Sequence, residues 1–154
     1  RSRPSAAWSF LSGVFVLLAA DEWMSLHEMV GSHMKRLVHA SGAIHHPWVI
    51  PVGLLTLAMG LLYVPFLLRL PKRTRSLFLV SGLIYVGGAL GMEMVGGIIM
   101  DRWGGESLAH AVEVVAEESM EMFGIVLFIY AIVSYIQAEF PDLTLRLGVS
   151  RPRA

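Results

Sequence analysis

The segment "HAVEVVAEESMEMFGIVLFIYAIV", residues 110–133, decides the fold of this chain. Its second half is strongly apolar and continues to about residue 138, which is typical of a helix that crosses a membrane. Its first half carries four carboxylates at the entrance of that apolar stretch: Glu113, Glu117, Glu118 and Glu121. Because one isolated charge near the centre of a bilayer costs about 2.5–3.5 kcal/mol, these residues need a specific reason to be there.

The composition of the whole chain indicates a membrane protein. Of its 154 residues, 55% are hydrophobic and only 16% are charged, whereas a soluble domain has about 25% charged residues. Cysteine is absent, which excludes disulfides and thiolate metal ligands. No basic patch is interleaved with aromatic residues, so we expect the lipid bilayer and no nucleic acid as a partner.

Four apolar segments each reach the roughly 20 residues that a spanning helix needs. The sequence therefore predicts an all-α polytopic membrane protein with four transmembrane helices in a bundle, forming one membrane domain over residues 1–154. The predicted spans cover about residues 5–31, 47–68, 76–100 and 107–138, followed by an interfacial and flexible tail at 139–154. Since the sequence starts at Arg1 and not at methionine, we expect processing or further residues upstream.

The basic residues predict the orientation of these spans. Of the 12 Lys and Arg, nine flank the same side of a four-span chain, and three lie on the other side. The positive-inside rule then places both termini in the cytoplasm. The expected location is the inner (cytoplasmic) membrane of a bacterium.

The acidic residues are distributed differently, because eight of the 12 fall within the predicted spans. With alternating spans, the acidic parts of the first, third and fourth segments meet in the outer half of the membrane. Asp21, Ser25 and Glu28 share one stripe of a helix, and so do His110, Glu113, Glu117 and Glu121. Glu22 and Glu118 lie about 100° away from these two stripes. The sequence thus predicts one outward-facing pocket with eight candidate ligand residues: Asp21, His27, Glu28, Glu93, His110, Glu113, Glu117 and Glu121.

The side chains of this pocket suggest a metal ion, without deciding which one. Glutamate and histidine on facing helices are the ligands of di-iron and di-manganese bundles, although only one His-x-x-Glu pair is present here. Methionine is frequent near the acidic residues, and thioethers with imidazoles suit copper(I). Iron, manganese and copper therefore remain open, as do protonated carboxylates that hydrogen-bond between helices and carboxylates that lie in headgroup water.

Two functions of different classes follow from this pattern. The first is binding of a metal ion or another cation in the pocket, with redox chemistry as an open extension; a complete proton channel is disfavoured because the inner half is almost wholly apolar. The second is a non-catalytic accessory subunit, whose carboxylates pair with basic groups of other membrane subunits. A small-xxx-small step at Gly87 and Gly91 predicts a close helix–helix contact for either function. No catalytic residue is identified, and whether the chain is an enzyme stays open.

Two short motifs carry a resemblance. "DEWMSLHE" at residues 21–28 and "EESMEMFGIVLFIYA" at residues 117–131 resemble a set of uncharacterised bacterial multi-pass membrane proteins. Those proteins combine an Asp-Glu…His-Glu helix with a later Glu-Glu…Glu-Met helix. The resemblance implies a fold and a pocket but no reaction, and its family-like positions are Asp21, Glu22, His27, Glu28, Glu93, Glu117, Glu118 and Glu121.

Overall fold

The computed structural model describes residues 5–35 and 40–142, which are helical apart from short connections. The helices are α1 (Ser5–Met24), α2 (Leu26–Lys35), α3 (Val49–Leu67), α4 (Lys72–Val86), α5 (Glu93–Trp103) and α6 (Leu108–Glu139). A 3₁₀ turn lies at Gly42–Ile44, and a π-helical segment at Gly87–Met92 joins α4 to α5 in one continuous helix. Most of the predicted tail, residues 143–154, lies outside the described residues.

Four helices are long and apolar enough to cross a membrane, which confirms the all-helical fold and the number of candidate spans. They cover Ala6–Met24, Val49–Leu67, Lys72–Trp103 and Leu108–Glu139. The short amphipathic helix α2 is an additional element that the four-helix prediction did not contain.

The first predicted segment is interrupted, because α1 ends at Met24 and α2 begins at Leu26. Ser25 between them has a φ of 47°, in the left-handed region, which costs a non-glycine residue about 1–2 kcal/mol. The expected stripe of Asp21, Ser25 and Glu28 on one continuous helix is therefore wrong. The side chain of Asp21, near the end of α1, instead forms hydrogen bonds with His27 in the first turn of α2.

An aromatic cluster holds the four long helices together at one end, which we call the basic end because it includes Arg69, Lys72, Arg73 and Arg75. Trp8 near the start of α1 packs edge-on against Phe66 of α3 and Phe78 of α4, with ring centroids 5.1 and 6.0 Å apart. It also lies 5.3 Å from the ring of Tyr135 near the end of α6. Since Phe66 and Phe78 are buried together with Leu70 and Ala131, the apolar core lies at this end.

The opposite end, called here the histidine end, contains residues 25–35, 40–48 and 101–110. Helices α1 and α3 have 20 and 19 residues, or about 30 Å at 1.5 Å per residue, which matches the hydrocarbon thickness of a bilayer. The continuous α4–α5 helix and α6 have 32 residues each, or about 48 Å. Because the aromatic cluster aligns all four helices at the basic end, the additional length lies at the histidine end.

Glycines allow α6 to lie close to the α4–α5 helix. A methyl group added at Gly88 would lie 3.0 Å from the backbone oxygen of Glu117, and one added at Gly124 would lie 2.9 Å from the backbone nitrogen of Tyr85. An added methyl group at Gly91 would meet nothing within 4 Å. The close contact predicted for this helix is therefore present, but it uses Gly88 in place of the predicted step from Gly87 to Gly91.

Candidate functional site

A cavity of about 550 Å³ lies where the break between α1 and α2 faces α5 and α6. Seven carboxylates from four helices line it, whereas Lys35 is its single Lys or Arg lining residue among those described. The seven carboxylates are Asp21, Glu22, Glu28, Glu93, Glu117, Glu118 and Glu121. The cavity therefore collects an excess of acidic groups that are far apart in the sequence.

Asp21 shapes the wall formed by α1 and α2. Its Oδ1 accepts a hydrogen bond from the backbone N–H of His27 at 2.9 Å, and its Oδ2 lies 2.8 Å from Nδ1 of the same residue. The first bond satisfies a free N–H group in the first turn of α2, as an N-cap residue does. Asp21 thus stabilises the turn at Ser25 and holds the imidazole of His27 at the cavity.

Glu93 begins α5 directly after the π-helical segment. A π-helical turn contains an additional residue and so changes the rotational phase of the side chains that follow it. The Oε1 atom of Glu93 accepts a hydrogen bond from Nε1 of Trp48 at 3.2 Å and lies 3.2 Å from Nδ1 of His46. Glu93 is therefore held by two side chains that precede α3.

The loop of residues 40–48 docks against α5 and brings these two side chains to the cavity. The carboxylate of Asp101 accepts hydrogen bonds from the backbone N–H of Gly42 and, at 2.6 Å, from Nδ1 of His45. Gly97 permits this approach, because a methyl group there would lie 2.6 Å from the backbone oxygen of Gly42. His45 and His46 are thus both held beside carboxylates of α5, His45 at Asp101 and His46 at Glu93.

His46 is held neutral at its position in the loop. Burial, followed by the positive charge of Lys35, lowers its pKa from 6.5 to about 4. At neutral pH its contact with Glu93 is therefore a hydrogen bond between a neutral imidazole and the carboxyl group, and the Nδ1 proton is assigned from that contact.

Aromatic groups complete the walls of the cavity. Trp48 is only 6% exposed, and its ring centroid lies 4.7 Å from that of His27. A methyl group added to Gly31 would lie 3.0 Å from Cδ1 of Trp48, so the ring packs closely over this glycine. Tyr85 lines the cavity from the end of α4. Carboxylates beside aromatic rings are a combination that suits organic ammonium groups, which are attracted to the ring faces as well as to the negative charge.

Glu113 lies outside the cavity lining, in a buried position between helices. Its residue is 4% exposed, and its carboxyl group fills the space above Gly96, where an added methyl group would lie 2.6 Å from Oε2. Oε2 is 3.2 Å from Nδ1 of His110. Oε1 has no hydrogen-bond partner among the described residues.

The structure thus brings six of the eight sequence-predicted residues to one cavity: Asp21, His27, Glu28, Glu93, Glu117 and Glu121. His110 and Glu113 form a separate pair beside it. The sequence did not predict four further lining residues: His46, Trp48, Tyr85 and Lys35. His46 and Trp48 lie in a loop, Tyr85 lies near the end of α4, and Lys35 lies in α2, which was not predicted. The sequence "HHPW" at residues 45–48 has no periodicity that would have assigned these residues to the pocket.

The side chains that line the cavity are not positioned as a metal coordination shell. Among residues 5–35 and 40–142, no group of three or more His, Asp or Glu side chains is placed to hold one metal ion. Direct ligation of iron, manganese or copper by the predicted residues would require their side chains to move. The cavity is instead large enough to hold a cation with its water shell or an organic cation.

Comparison with protein families gives a match over most of the chain. Residues 1–135 match a family model described as a domain of unknown function (DUF8692). The chain belongs to this family. Membership in DUF8692 agrees with the expected resemblance to proteins without an established activity, while the bacterial origin of that set stays a prediction. No curated protein and no solved structure matches the chain.

Proposed function

We propose that this DUF8692 protein is an integral membrane protein that binds a cation in the acidic cavity. One observation carries the proposal: the cavity has seven lining carboxylates and one lysine among its described residues. Charges gathered in this way repel one another, and a bound cation removes that repulsion. Its volume of about 550 Å³ favours a hydrated or organic cation over a bare metal ion.

The lengths of the helices explain how the membrane tolerates these carboxylates. If α1 and α3 cross the hydrocarbon region, the cavity lies at its boundary, since it is lined by the end of α1 and the beginning of α3. Water then reaches the acidic groups, and the cost of placing charge near the bilayer centre does not arise. In the bacterial inner membrane that we propose for this chain, the basic residues favour both termini in the cytoplasm, so that the cavity opens on the outer side.

Direct metal binding and redox chemistry form a narrower version of the same proposal. It requires the ligands at Glu28, Glu93, Glu117 and Glu121 to converge when the ion binds. The alternative function is that of a non-catalytic accessory subunit. In that case the carboxylates would pair with basic groups of a partner chain, whereas in the proposed function they bind a small cation.

The test uses the complete chain in mild detergent. Binding of tetramethylammonium and of Mn²⁺ is measured by titration calorimetry, together with the metal content of the purified protein. The variant Glu117→Gln with Glu121→Gln is compared with Glu106→Gln with Glu139→Gln, which removes the same charge outside the cavity. We expect the cavity variant to weaken cation binding at least tenfold and the control variant to leave it within about twofold.

Failure of both cations to bind, with no metal retained by the purified protein, would overturn the proposal. Recovery of the chain only in a larger complex, from which the cavity variant is lost, would establish the subunit alternative. Binding of Mn²⁺ alone would select the narrower metal version.

A further inference from the structure

A second cavity lies beside the acidic one, between α1, α3, α4 and α6. It measures about 220 Å³, and its lining is almost entirely apolar, with Val14, Phe15, Phe78 and Phe128 among the residues around it. An apolar cavity of about 150 Å³ is enough to hold a benzene-sized group. This second cavity therefore has room for a ring or a short alkyl chain.

The two cavities are neighbours, because both are lined by Leu18 and Tyr85. Leu18 comes one turn before Asp21 in α1, and Tyr85 comes two turns before Glu93 in the α4–α5 helix. A molecule that passes between Leu18 and Tyr85 would thus have one end among carboxylates and the other among apolar side chains.

We infer that the occupant of the site is an amphipathic organic cation, with a substituted ammonium group in the acidic cavity and a ring or short alkyl chain in the apolar cavity. The inference rests on the proposed function and adds the chemical class of the ligand. Two independent features select this class. The carboxylates and the rings of Trp48 and Tyr85 recognise the cationic group, and burial of the apolar group supplies affinity that a small cation does not have.

The positive charge distinguishes the proposed ligand from an ordinary lipid acyl chain as an occupant of the site. An uncharged acyl chain can fill the apolar cavity but leaves the seven carboxylates without a counter-charge. A hydrated inorganic ion can satisfy the carboxylates but leaves the apolar cavity without an occupant. A molecule with both parts satisfies both cavities at once.

Gly82 offers a way to fill the apolar cavity selectively. It lines that cavity but not the acidic one, and a methyl group added to it would meet nothing within 4 Å. Gly82→Leu therefore adds a side chain where space is available. Gly13→Leu is the matched control, because Gly13 also has open space around an added methyl group and lines neither cavity.

The experiment compares tetramethylammonium with benzyltrimethylammonium, which carry the same charge and differ by one phenyl group. With the complete chain in detergent, we expect benzyltrimethylammonium to bind at least tenfold more tightly. Gly82→Leu, or Val14→Phe if that variant is better folded, should reduce the difference to less than about threefold while leaving tetramethylammonium binding unchanged. Gly13→Leu should retain the full difference.

Equal binding of the two cations would overturn this inference and leave the proposed cation site intact. A preference for the benzyl compound that survives both cavity-filling variants would also overturn it, because the phenyl group would then bind elsewhere. Failure of both cations to bind would remove the proposed function as well.

Discussion

The carboxyl group of Glu113 occupies the space that a side chain at Gly96 would need. A methyl group at position 96 would lie 2.6 Å from Oε2 and 2.9 Å from Oε1 of Glu113. Both residues are buried, and they lie where α5 and α6 are in contact. The closeness of these two helices therefore depends on the absence of a side chain at Gly96.

Gly96→Ala is expected to destabilise the protein, because either the helices separate or the Glu113 carboxyl group moves from its contact with His110. Overpacking of this kind costs about 1–3 kcal/mol, which thermal unfolding in detergent would register as a lower midpoint. Gly82→Ala is the control, since its added methyl group meets no atom within 4 Å. Equal midpoints for the two variants would contradict the close contact described here.

Removing the Asp21 side chain is expected to loosen the first turn of α2. Asp21→Ala loses the hydrogen bond to the backbone N–H of His27 and the contact with its ring, and loss of a capping side chain costs about 1 kcal/mol. Hydrogen exchange over residues 26–30 should become faster. Asp21→Asn keeps an oxygen acceptor for the N–H group, so its exchange should stay closer to that of the native chain.

The lowered pKa of His46 predicts that docking of the loop weakens at acid pH. Its pKa is about 4 in the folded chain against 6.5 when exposed, so the unfolded state binds the proton more readily. The stabilisation is complete above about pH 6.5 and is lost as the pH falls from 6.5 through 4. The hydrogen-exchange protection factors of residues 40–48, which correct for the slower intrinsic exchange at acid pH, should fall across that range.

His46→Gln serves as the control for this pH dependence, because glutamine cannot gain the proton. The acidic groups of the cavity are the same in both proteins, so the difference between the two pH profiles isolates His46. Parallel profiles would show that another group causes the change.

Docking of the loop also depends on Gly97. Gly97→Ala would place a methyl group 2.6 Å from the backbone oxygen of Gly42 and 2.8 Å from Cβ of His45. We expect the loop to move away from α5, breaking the hydrogen bonds to Asp101 and making Trp48 accessible to aqueous quenchers of its fluorescence. The protein has four tryptophans, so the change is measured against a Trp48→Phe background, in which Gly97→Ala should have little effect on quenching.

Hydropathy was sufficient to predict the four long helices, because about 20 consecutive apolar residues leave few alternatives. The alternating direction of the spans was sufficient to predict that Asp21, Glu93 and Glu121 lie near one another, as they do in the lining of the acidic cavity. The break at Ser25 was not predictable from periodicity, since it depends on one capping hydrogen bond, which the backbone N–H of His27 donates to Asp21. His46 and Trp48 were missed for a related reason: a loop has no repeating pattern, and its position depends on the contacts of Gly97 and Asp101.

The aromatic cluster at the basic end separates the residues that hold the fold from those that form the candidate site. Phe66, Leu70, Phe78 and Ala131 are buried far along the helices from Glu93 and Glu117. Selection can therefore alter the chemistry of the cavity without disturbing the core, as enzymes do when active-site loops diversify on a rigid scaffold. Substitutions at the proposed cation site would accordingly change its chemistry and leave the fold intact.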